Sequence, residues 1–209
     1  MVELERLIMN PKIIIFDFDG VIADTFTVAH AVKQMEYPGM SEEQYRAKFN
    51  GNIGVADFSD FHRVPLDFQF EYAKKMDGLL LEPKYKDAVL AICSIAPAYI
   101  VSSTNTDTIK VFNRSNGIDG CFRDVLGFDV FASKVKKFKM IFEKEHVSAT
   151  EVLFITDTVG DINEAHEVGI TNIIAVTSGY QSEEIIRAAN PGCMVHSIVE
   201  AASLLLITD

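Results

Sequence analysis

The chain has 209 residues, of which 48% are hydrophobic and 23% are charged, and its formal net charge is −11. This composition is typical of a globular protein, and no apolar run approaches the roughly 18 residues that cross a bilayer. The acidic balance argues against a nucleic-acid partner, because such binding depends on lysine and arginine neutralising phosphates. Three widely spaced cysteines and an amino terminus unlike a secretory signal predict a cytoplasmic protein with reduced thiols.

The first predicted element is a short buried strand that ends in two aspartates. Within the predicted strand of residues 12–18, positions 13–15 are isoleucines, whose β-branched side chains are typical of buried strands, and Asp17, Phe18, Asp19 and Gly20 follow one another at the end. Side chains alternate along a strand, so Asp17 and Asp19 are expected to point the same way. Two carboxylates at the end of a buried strand need a counter-charge, which Mg²⁺ would provide.

Residues 25–82 have a different pattern, with irregular helical periodicity and many aromatic residues. Residues 41–44 have the sequence of a capped helix start, and a further helix is predicted over residues 66–75. We interpret this stretch as a small helical insertion and call it the inserted segment. It divides the chain into a helical domain of residues 25–82 and a core domain of residues 1–24 and 83–209.

From residue 83 onward, predicted helices and strands alternate. The strands are predicted at 98–101, 125–128, 152–155, 172–176 and near 194–195, and the helices at 84–94, 106–116, 134–146, after 161 to about 168, from 182, and up to 206. This alternation predicts an α/β fold with a doubly wound, mostly parallel sheet. In such sheets, ligands bind beyond the carboxyl ends of the strands.

Three of the predicted strands end in small polar or acidic residues, which are expected to meet at one edge of the sheet. The three clusters are Asp17/Asp19, Ser102/Ser103 and Asp157/Asp161. Converging carboxylates repel one another unless a cation is present. Mg²⁺ bound by Asp17, Asp157 and the backbone carbonyl of Asp19 would remove this repulsion. The hydroxyl and N–H groups of Ser102 and Ser103 would then suit a phosphate.

The chemistry of such a cluster is phosphoryl transfer. One carboxylate can form an aspartyl-phosphate, and a second can protonate the leaving oxygen and later activate water. At this point the chain resembles the haloacid dehalogenase superfamily, in its phosphoglycolate phosphatase and β-phosphoglucomutase-like branch. The first motif of that family, D-x-D-G-[VT]-[IL]-x-D-[ST], is matched by residues 17–25. Ser102 matches the second motif, and Asp157 with Asp161 matches the fourth, D-x-x-x-D.

The resemblance implies a Rossmann-like core, a helical cap inserted after the first strand, and Mg²⁺ as cofactor. It implies that Asp17 is the nucleophile and Asp19 the general acid and base. Asp17 and Asp157 would bind Mg²⁺ through their side chains, and Asp19 through its carbonyl. Asp161 would hold a lysine or a metal-bound water. Thr156 departs from the family pattern, which usually has glycine at that position.

The third motif of the family is a lysine, for which the basic run of residues 134–139 offers several candidates. We expect Lys134 to bind the substrate phosphate together with Ser102 and Ser103, because it lies at the start of a predicted helix. Lys136 and Lys137 remain alternatives, and the proline often found beside this lysine is absent.

The resemblance implies a Mg²⁺-dependent phosphatase acting on a small phosphorylated metabolite, such as phosphoglycolate or a sugar phosphate. Asp19 separates the chain from the dehalogenases, which lack a second carboxylate because their leaving group needs no proton. The alternatives are a phosphomutase of the β-phosphoglucomutase type and a non-catalytic, receiver-like phosphate-binding module. No nucleic-acid or membrane partner is expected, and the protein is expected to be a monomer or a homodimer.

Overall fold

A computed structural model describes residues 10–49 and 57–206. Within them, six strands form one sheet in the order β3-β2-β1-β4-β5-β6, and all five pairings are parallel. The strands are β1 (Ile13–Phe16), β2 (Ala98–Val101), β3 (Phe122–Leu126), β4 (Val152–Thr156), β5 (Asn172–Val176) and β6 (Cys193–Val195). The strand order reverses between β1 and β4, which is where sheets of this kind bind ligands. The predicted α/β fold class is confirmed.

Helices cover both faces of the sheet, as the doubly wound prediction requires. They are α1 (Phe26–Glu36), α2 (Glu42–Ala47), α3 (Phe68–Met76), α4 (Pro83–Cys93), α5 (Thr106–Asn116), α6 (Lys134–Glu145), α7 (Val159–Glu167), α8 (Glu183–Ala188) and α9 (Ile198–Leu206). Ile14 and Phe16 of β1 pack in one apolar cluster with α4, α5 and α9. Ile13 and Ile15 pack in a second cluster with α6, α7 and α8. The alternating side chains of a single strand therefore serve two cores.

Local capping explains where several helices begin and end. Ser41 accepts a hydrogen bond from the backbone of Gln44, whose side chain bonds back to Ser41, so the predicted capping box of α2 is confirmed. Gly117 ends α5 in the left-handed conformation with φ of 62°. Helix α3 begins two residues later than predicted, because the side chain of Asp67 accepts from Phe70 and caps the helix there.

Two elements begin three residues earlier than predicted. Strand β3 spans Phe122–Leu126 rather than 125–128, because its charged residues are neutralised by α6 instead of lying in a loop. Arg123 lies 2.6 Å from Glu145, and Asp124 lies 3.1 Å from Lys144. Helix α7 begins at Val159 rather than after Asp161, because the side chain of Thr158 caps it by accepting from the Asp161 backbone.

The inserted segment contributes α1, α2 and α3, and its apolar side chains continue the first sheet cluster. Phe26, Tyr45 and Tyr72 belong to the same buried cluster as Phe16 of β1. The predicted division into two domains stays a prediction, and its parts at 1–9, 50–56 and 207–209 lie outside the described residues. In the described part of the chain, no helix has the length and apolar character needed to span a bilayer.

Candidate active site

The chain turns sharply after β1, and this turn presents the two predicted aspartates. The backbone N–H of Asp17 still bonds to the carbonyl of Ile155 in β4 at 2.8 Å, so its position is fixed by the sheet. Phe18 packs edge-on against Phe112, with ring centroids 5.1 Å apart, in the apolar core. Gly20 has φ of +76°, and a Cβ there would lie 2.1 Å from Oδ2 of Asp157. Glycine is therefore required both for the turn and for the close approach.

One cavity of about 650 Å³ lies beyond the carboxyl ends of β1 and β4. Its walls include the predicted site residues Asp17, Asp19, Ser103, Lys134, Asp157 and Asp161. Helices of the inserted segment close another side of it through Lys33, Tyr45 and Tyr72. The cavity therefore combines the acidic edge of the sheet with the underside of the inserted segment.

Lys134 is a buried cation in the wall of this cavity. It is 3% exposed, and its Nζ lies 2.8 Å from Oδ1 of Asp17 and 2.5 Å from Oδ2 of Asp161. Burial alone would lower the pKa of Lys134, but Asp161 and Asp17 outweigh it and raise that pKa. Its backbone N–H bonds to Glu164 of α7 at 3.1 Å, which fixes the start of α6.

The other two candidate lysines take different positions. Lys136 is exposed, and its ammonium lies 5.3 Å from the ring centre of Phe131. Lys137 is fully buried and donates to the backbone carbonyl of Ser102 at 2.5 Å. Burial, together with the charge of Lys134, lowers the pKa of Lys137 to about 8. The side chain of Lys137 thus contacts the backbone of the loop that holds the predicted phosphate site, whereas the side chain of Lys134 contacts the predicted nucleophile.

Asp157 follows β4 and is fully buried. Its Oδ2 accepts from the backbone N–H of Tyr180 at 2.7 Å, while Oδ1 has no hydrogen-bond partner among the described residues. Gly179 also faces this carboxylate, since a Cβ there would lie 2.1 Å from Oδ2. Burial raises the pKa of Asp157, and the charge of Asp161 adds to the effect. Such a buried oxygen is costly unless a proton or a cation satisfies it.

Asp161 lies in the first turn of α7 and points at Lys134. Its Oδ2 accepts from Lys134 and, at 2.7 Å, from the hydroxyl of Thr156. Thr156 is fully buried at the end of β4, where the family pattern has glycine. The threonine therefore adds a hydrogen-bond donor to the carboxylate that holds the lysine.

Four hydroxyl groups converge on the carboxylate of Asp19. Oδ1 accepts from Thr25 at 2.8 Å and also from Tyr72 of α3. Oδ2 accepts from Thr104 at 2.8 Å and from Ser102 at 3.3 Å. Both oxygens of Asp19 are thus held by hydroxyls from three separate parts of the chain.

The predicted phosphate-binding serines differ in exposure. Ser102 is fully buried, and its hydroxyl both donates to Asp19 and accepts from the backbone N–H of Thr104 at 3.0 Å. Ser103 is exposed and lines the cavity, and its carbonyl accepts from Gln69 of α3 at 3.3 Å. Ser103 is therefore open to a ligand, whereas Ser102 contacts the candidate acid.

Sequence reasoning missed several residues of this site. Thr104 directly follows the predicted Ser102/Ser103 cluster, and this position at the end of β2 was a usable signal. Tyr180 follows a Ser-Gly pair, which alone does not indicate that its backbone reaches Asp157. Tyr72 was one of many aromatic residues in the inserted segment, and nothing in its spacing pointed to Asp19.

The residues present fit a divalent cation. Asp17 and Asp157 bring two buried carboxylates to the ends of β1 and β4, and Oδ1 of Asp157 has no hydrogen-bond partner within the described ranges. Burial raises the pKa of Asp17 well above its usual value, even though Lys134 opposes the change, and the nearby aspartates add to it. No group of three Asp, Glu, His or Cys side chains in the described ranges could enclose a metal. Two carboxylates would need backbone, water or phosphate oxygens as further ligands, which is how Mg²⁺ is usually bound.

The parallel sheet and the acidic cavity at its switch point define a member of a known enzyme family. The chain belongs to the haloacid dehalogenase-like hydrolases, whose family model matches residues 14–176, most of its length. A phosphoglycolate phosphatase of Vibrio parahaemolyticus is 28% identical to it, covering 94% of this chain and 97% of the relative. The predicted family and the prediction of a hydrolytic enzyme are confirmed.

Solved structures agree on the fold. A haloacid dehalogenase-like hydrolase from Streptococcus pneumoniae superposes with a TM-score of 0.76 at 20% identity, covering 93% of this chain and 98% of the other. CbbY from Rhodobacter sphaeroides, solved in complex with phosphate, superposes with a TM-score of 0.71 at 16% identity, covering 91% and 96%. At these identities, the likeness establishes the shared fold.

Proposed function

We propose that the chain is a Mg²⁺-dependent phosphatase that hydrolyses a small phosphomonoester through an aspartyl-phosphate on Asp17, with phosphoglycolate as the first substrate to test. The observation that carries this proposal is that Asp17, Asp19 and Lys134 line the same cavity, where Lys134 forms an ion pair with Asp17. Its volume of about 650 Å³ suits a small metabolite. The phosphatase relative adds support for the reaction class.

The side chains divide the chemistry between them. An oxygen of Asp17 attacks phosphorus as the ester P–O bond breaks, and Asp19 gives its proton to the leaving oxygen. Asp19 then takes a proton from water, whose oxygen attacks phosphorus and breaks the bond to Asp17, releasing inorganic phosphate. Lys134 and Ser103 line the cavity, and in this proposal their ammonium and hydroxyl groups bind phosphoryl oxygens.

A metal would be held by Asp17, Asp157 and the carbonyl of Asp19. When bound, Mg²⁺ neutralises the converging carboxylates and polarises the phosphoryl group. Asp161 does not need to touch the metal, because its carboxylate already holds Lys134 in place. The predicted cytoplasmic location and the monomeric or homodimeric state stay predictions.

The test is phosphate release from a panel of small phosphomonoesters, with and without Mg²⁺, by the wild type and by Asp17→Asn. We expect Mg²⁺-dependent release that the substitution abolishes. Transfer of phosphate to a second hydroxyl, without release, would instead identify a phosphomutase. No turnover of any compound by folded protein would contradict both enzyme assignments and favour a phosphate-binding module.

A further inference from the structure

Helix α3 of the inserted segment presents two side chains to the catalytic edge of the sheet. Gln69 donates to the carbonyl of Ser103 and accepts from the backbone N–H of Asn105, both at 3.3 Å. Tyr72, three residues later and on the same side of the helix, donates its hydroxyl proton to Oδ1 of Asp19. The helix is therefore attached both to the loop after β2 and to the candidate general acid.

Tyr72 is held firmly in this position. It is 1% exposed, and its ring stacks on that of Phe68 with centroids 5.6 Å apart. The second donor to Oδ1 is Thr25, whose hydroxyl lies 3.1 Å from that of Tyr180. Because Thr25 gives its proton to Asp19, the hydroxyl of Tyr180 must donate to Thr25. Oδ1 of Asp19 is thus the end of a chain of hydroxyls fixed by aromatic packing.

The two oxygens of Asp19 are held differently. Oδ1 is bound by Thr25 and Tyr72 of the inserted segment, whereas Oδ2 is bound from the loop after β2. The contact of Ser102 with Oδ2, at 3.3 Å, is longer than the 2.8 Å contacts of Thr25 and Thr104. The Ser102 contact is therefore the one that gives way most readily when Oδ2 carries a proton, so Oδ2 is better suited than Oδ1 to give a proton to a substrate.

We propose that Tyr72 is a positioning residue for Asp19, fixing the carboxylate through Oδ1 so that Oδ2 delivers the proton to the leaving oxygen of the substrate. This inference rests on the proposed function, because it requires Asp19 to act as the general acid. Tyr72 acts through Asp19 and does not itself transfer a proton. Part of the acid–base apparatus of the core would therefore come from the inserted segment.

Leaving groups of different basicity can test this role. The alkoxide released from phosphoglycolate is a strong base and needs a proton as the P–O bond breaks, whereas 4-nitrophenolate leaves readily without one. We expect Tyr72→Phe to lower kcat/KM for phosphoglycolate about tenfold or more, since misplacing a catalytic group by a fraction of an ångström is costly. We expect kcat/KM for 4-nitrophenyl phosphate to change by less than about twofold, because this reaction gains little from a general acid.

The use of kcat/KM confines the comparison to steps up to transfer onto Asp17, so the later hydrolysis does not obscure it. Tyr45→Phe is the matched control, because Tyr45 lines the same cavity and no hydrogen bond joins it to Asp19 in the described structure. It should keep the wild-type ratio of the two kcat/KM values. Asp19→Asn should lower kcat/KM for phosphoglycolate more than Tyr72→Phe does, again with little effect on 4-nitrophenyl phosphate.

The possible outcomes are distinguishable when all variants are assayed below the temperature at which their unfolding begins. An equal fall for both substrates would indicate a merely structural role for Tyr72 and overturn the inference, as would unchanged activity on phosphoglycolate. Those results leave the proposed function intact, provided that the wild type releases phosphate and Asp17→Asn does not. A wild type that releases no phosphate from 4-nitrophenyl phosphate or from any other phosphomonoester of the panel would overturn the proposed function and this inference together.

Discussion

The hydroxyl of Thr156 donates to Oδ2 of Asp161, the same oxygen that forms the 2.5 Å ion pair with Lys134. The threonine lies at the last position of β4, so the strand itself fixes the donor. A buried carboxylate with a lysine and a hydroxyl is better satisfied than one with a lysine alone. Thr156, which stands where the family pattern usually has glycine, therefore stabilises the buried carboxylate of Asp161.

Replacing this threonine tests that use. We expect Thr156→Val to lower the free energy of unfolding by about 1.5–3 kcal/mol, because a buried hydrogen bond to a charged group is lost while the shape is kept. Urea unfolding followed by circular dichroism measures the change. The exposed Thr171 provides the control, since Thr171→Val should have little effect. Equal stability of both variants would show that the hydroxyl of Thr156 contributes nothing.

Gly179 tests the proposed metal site by a purely steric change. Its φ is not in the left-handed region, but a Cβ would lie 2.1 Å from Oδ2 of Asp157. We expect Gly179→Ala to displace this carboxylate and to raise the Mg²⁺ concentration for half-maximal activity about tenfold or more. The Mg²⁺ requirement is measured by following activity and Tm as Mg²⁺ is added. Gly120→Ala, with open space around its Cβ, should behave like the wild type.

Lys134 should be needed for stability as well as for chemistry. We expect Lys134→Met to lower the free energy of unfolding by about 3–5 kcal/mol, because Asp17 and Asp161 lose their buried cation. Adding Asp161→Asn should restore part of the loss by removing one of the unpaired charges. Urea unfolding of the single and double variants measures this coupling. Lys139→Met, at an exposed position of the same helix, should be close to neutral.

The lowered pKa of Lys137 predicts that the stability of the protein depends on pH. Its pKa of about 8 in the folded protein is below the ordinary value of 10.5, so the unfolded state binds more protons between these values. Stability should therefore rise with pH in this window, by about 2 kcal/mol from roughly pH 7.5 to 9.5. The destabilisation that comes from burying a charged Lys137 is complete below the pKa of the folded state and disappears above the pKa of the unfolded state.

The variant Lys137→Met lacks this titrating group and should lose that rise, whereas Lys136→Met should keep it, because Lys136 is exposed. The quantity to compare is the difference in unfolding free energy between wild type and each variant across the pH range. A parallel pH dependence for wild type and Lys137→Met would contradict a depressed pKa of Lys137.

From the sequence, we could predict only those neighbours in the site that the order of parallel strands brings together. Asp17, Ser102 and Asp157 each follow an apolar run, and parallel strands bring the ends of such runs to one edge of the sheet. The choice among the lysines could not be made in this way, because Lys134 and Lys137 lie on the same face of α6. Only the packing of α6 against α7 shows which ammonium reaches Asp17.

Contacts made by the inserted segment could not be predicted from the chain pattern. Tyr72 is 53 residues from Asp19, and its helix has several aromatic side chains that are equally plausible from periodicity alone. The start of β3 was missed for a related reason. Arg123 and Asp124 look like loop residues until their partners on α6 are known.

Tyr180 connects the two parts of the chain. Its N–H holds Asp157 at 2.7 Å, its hydroxyl meets Thr25, and its ring packs against Phe26 and Phe49 with centroids 5.3 and 5.4 Å away. Its carbonyl accepts from Arg46 of α2 at 3.4 Å. A chimera that transplants the inserted segment of a relative onto this core would therefore bring foreign surfaces against Tyr180. Substrate specificity in such grafts would depend on exchanging the loop around residue 180 together with the segment.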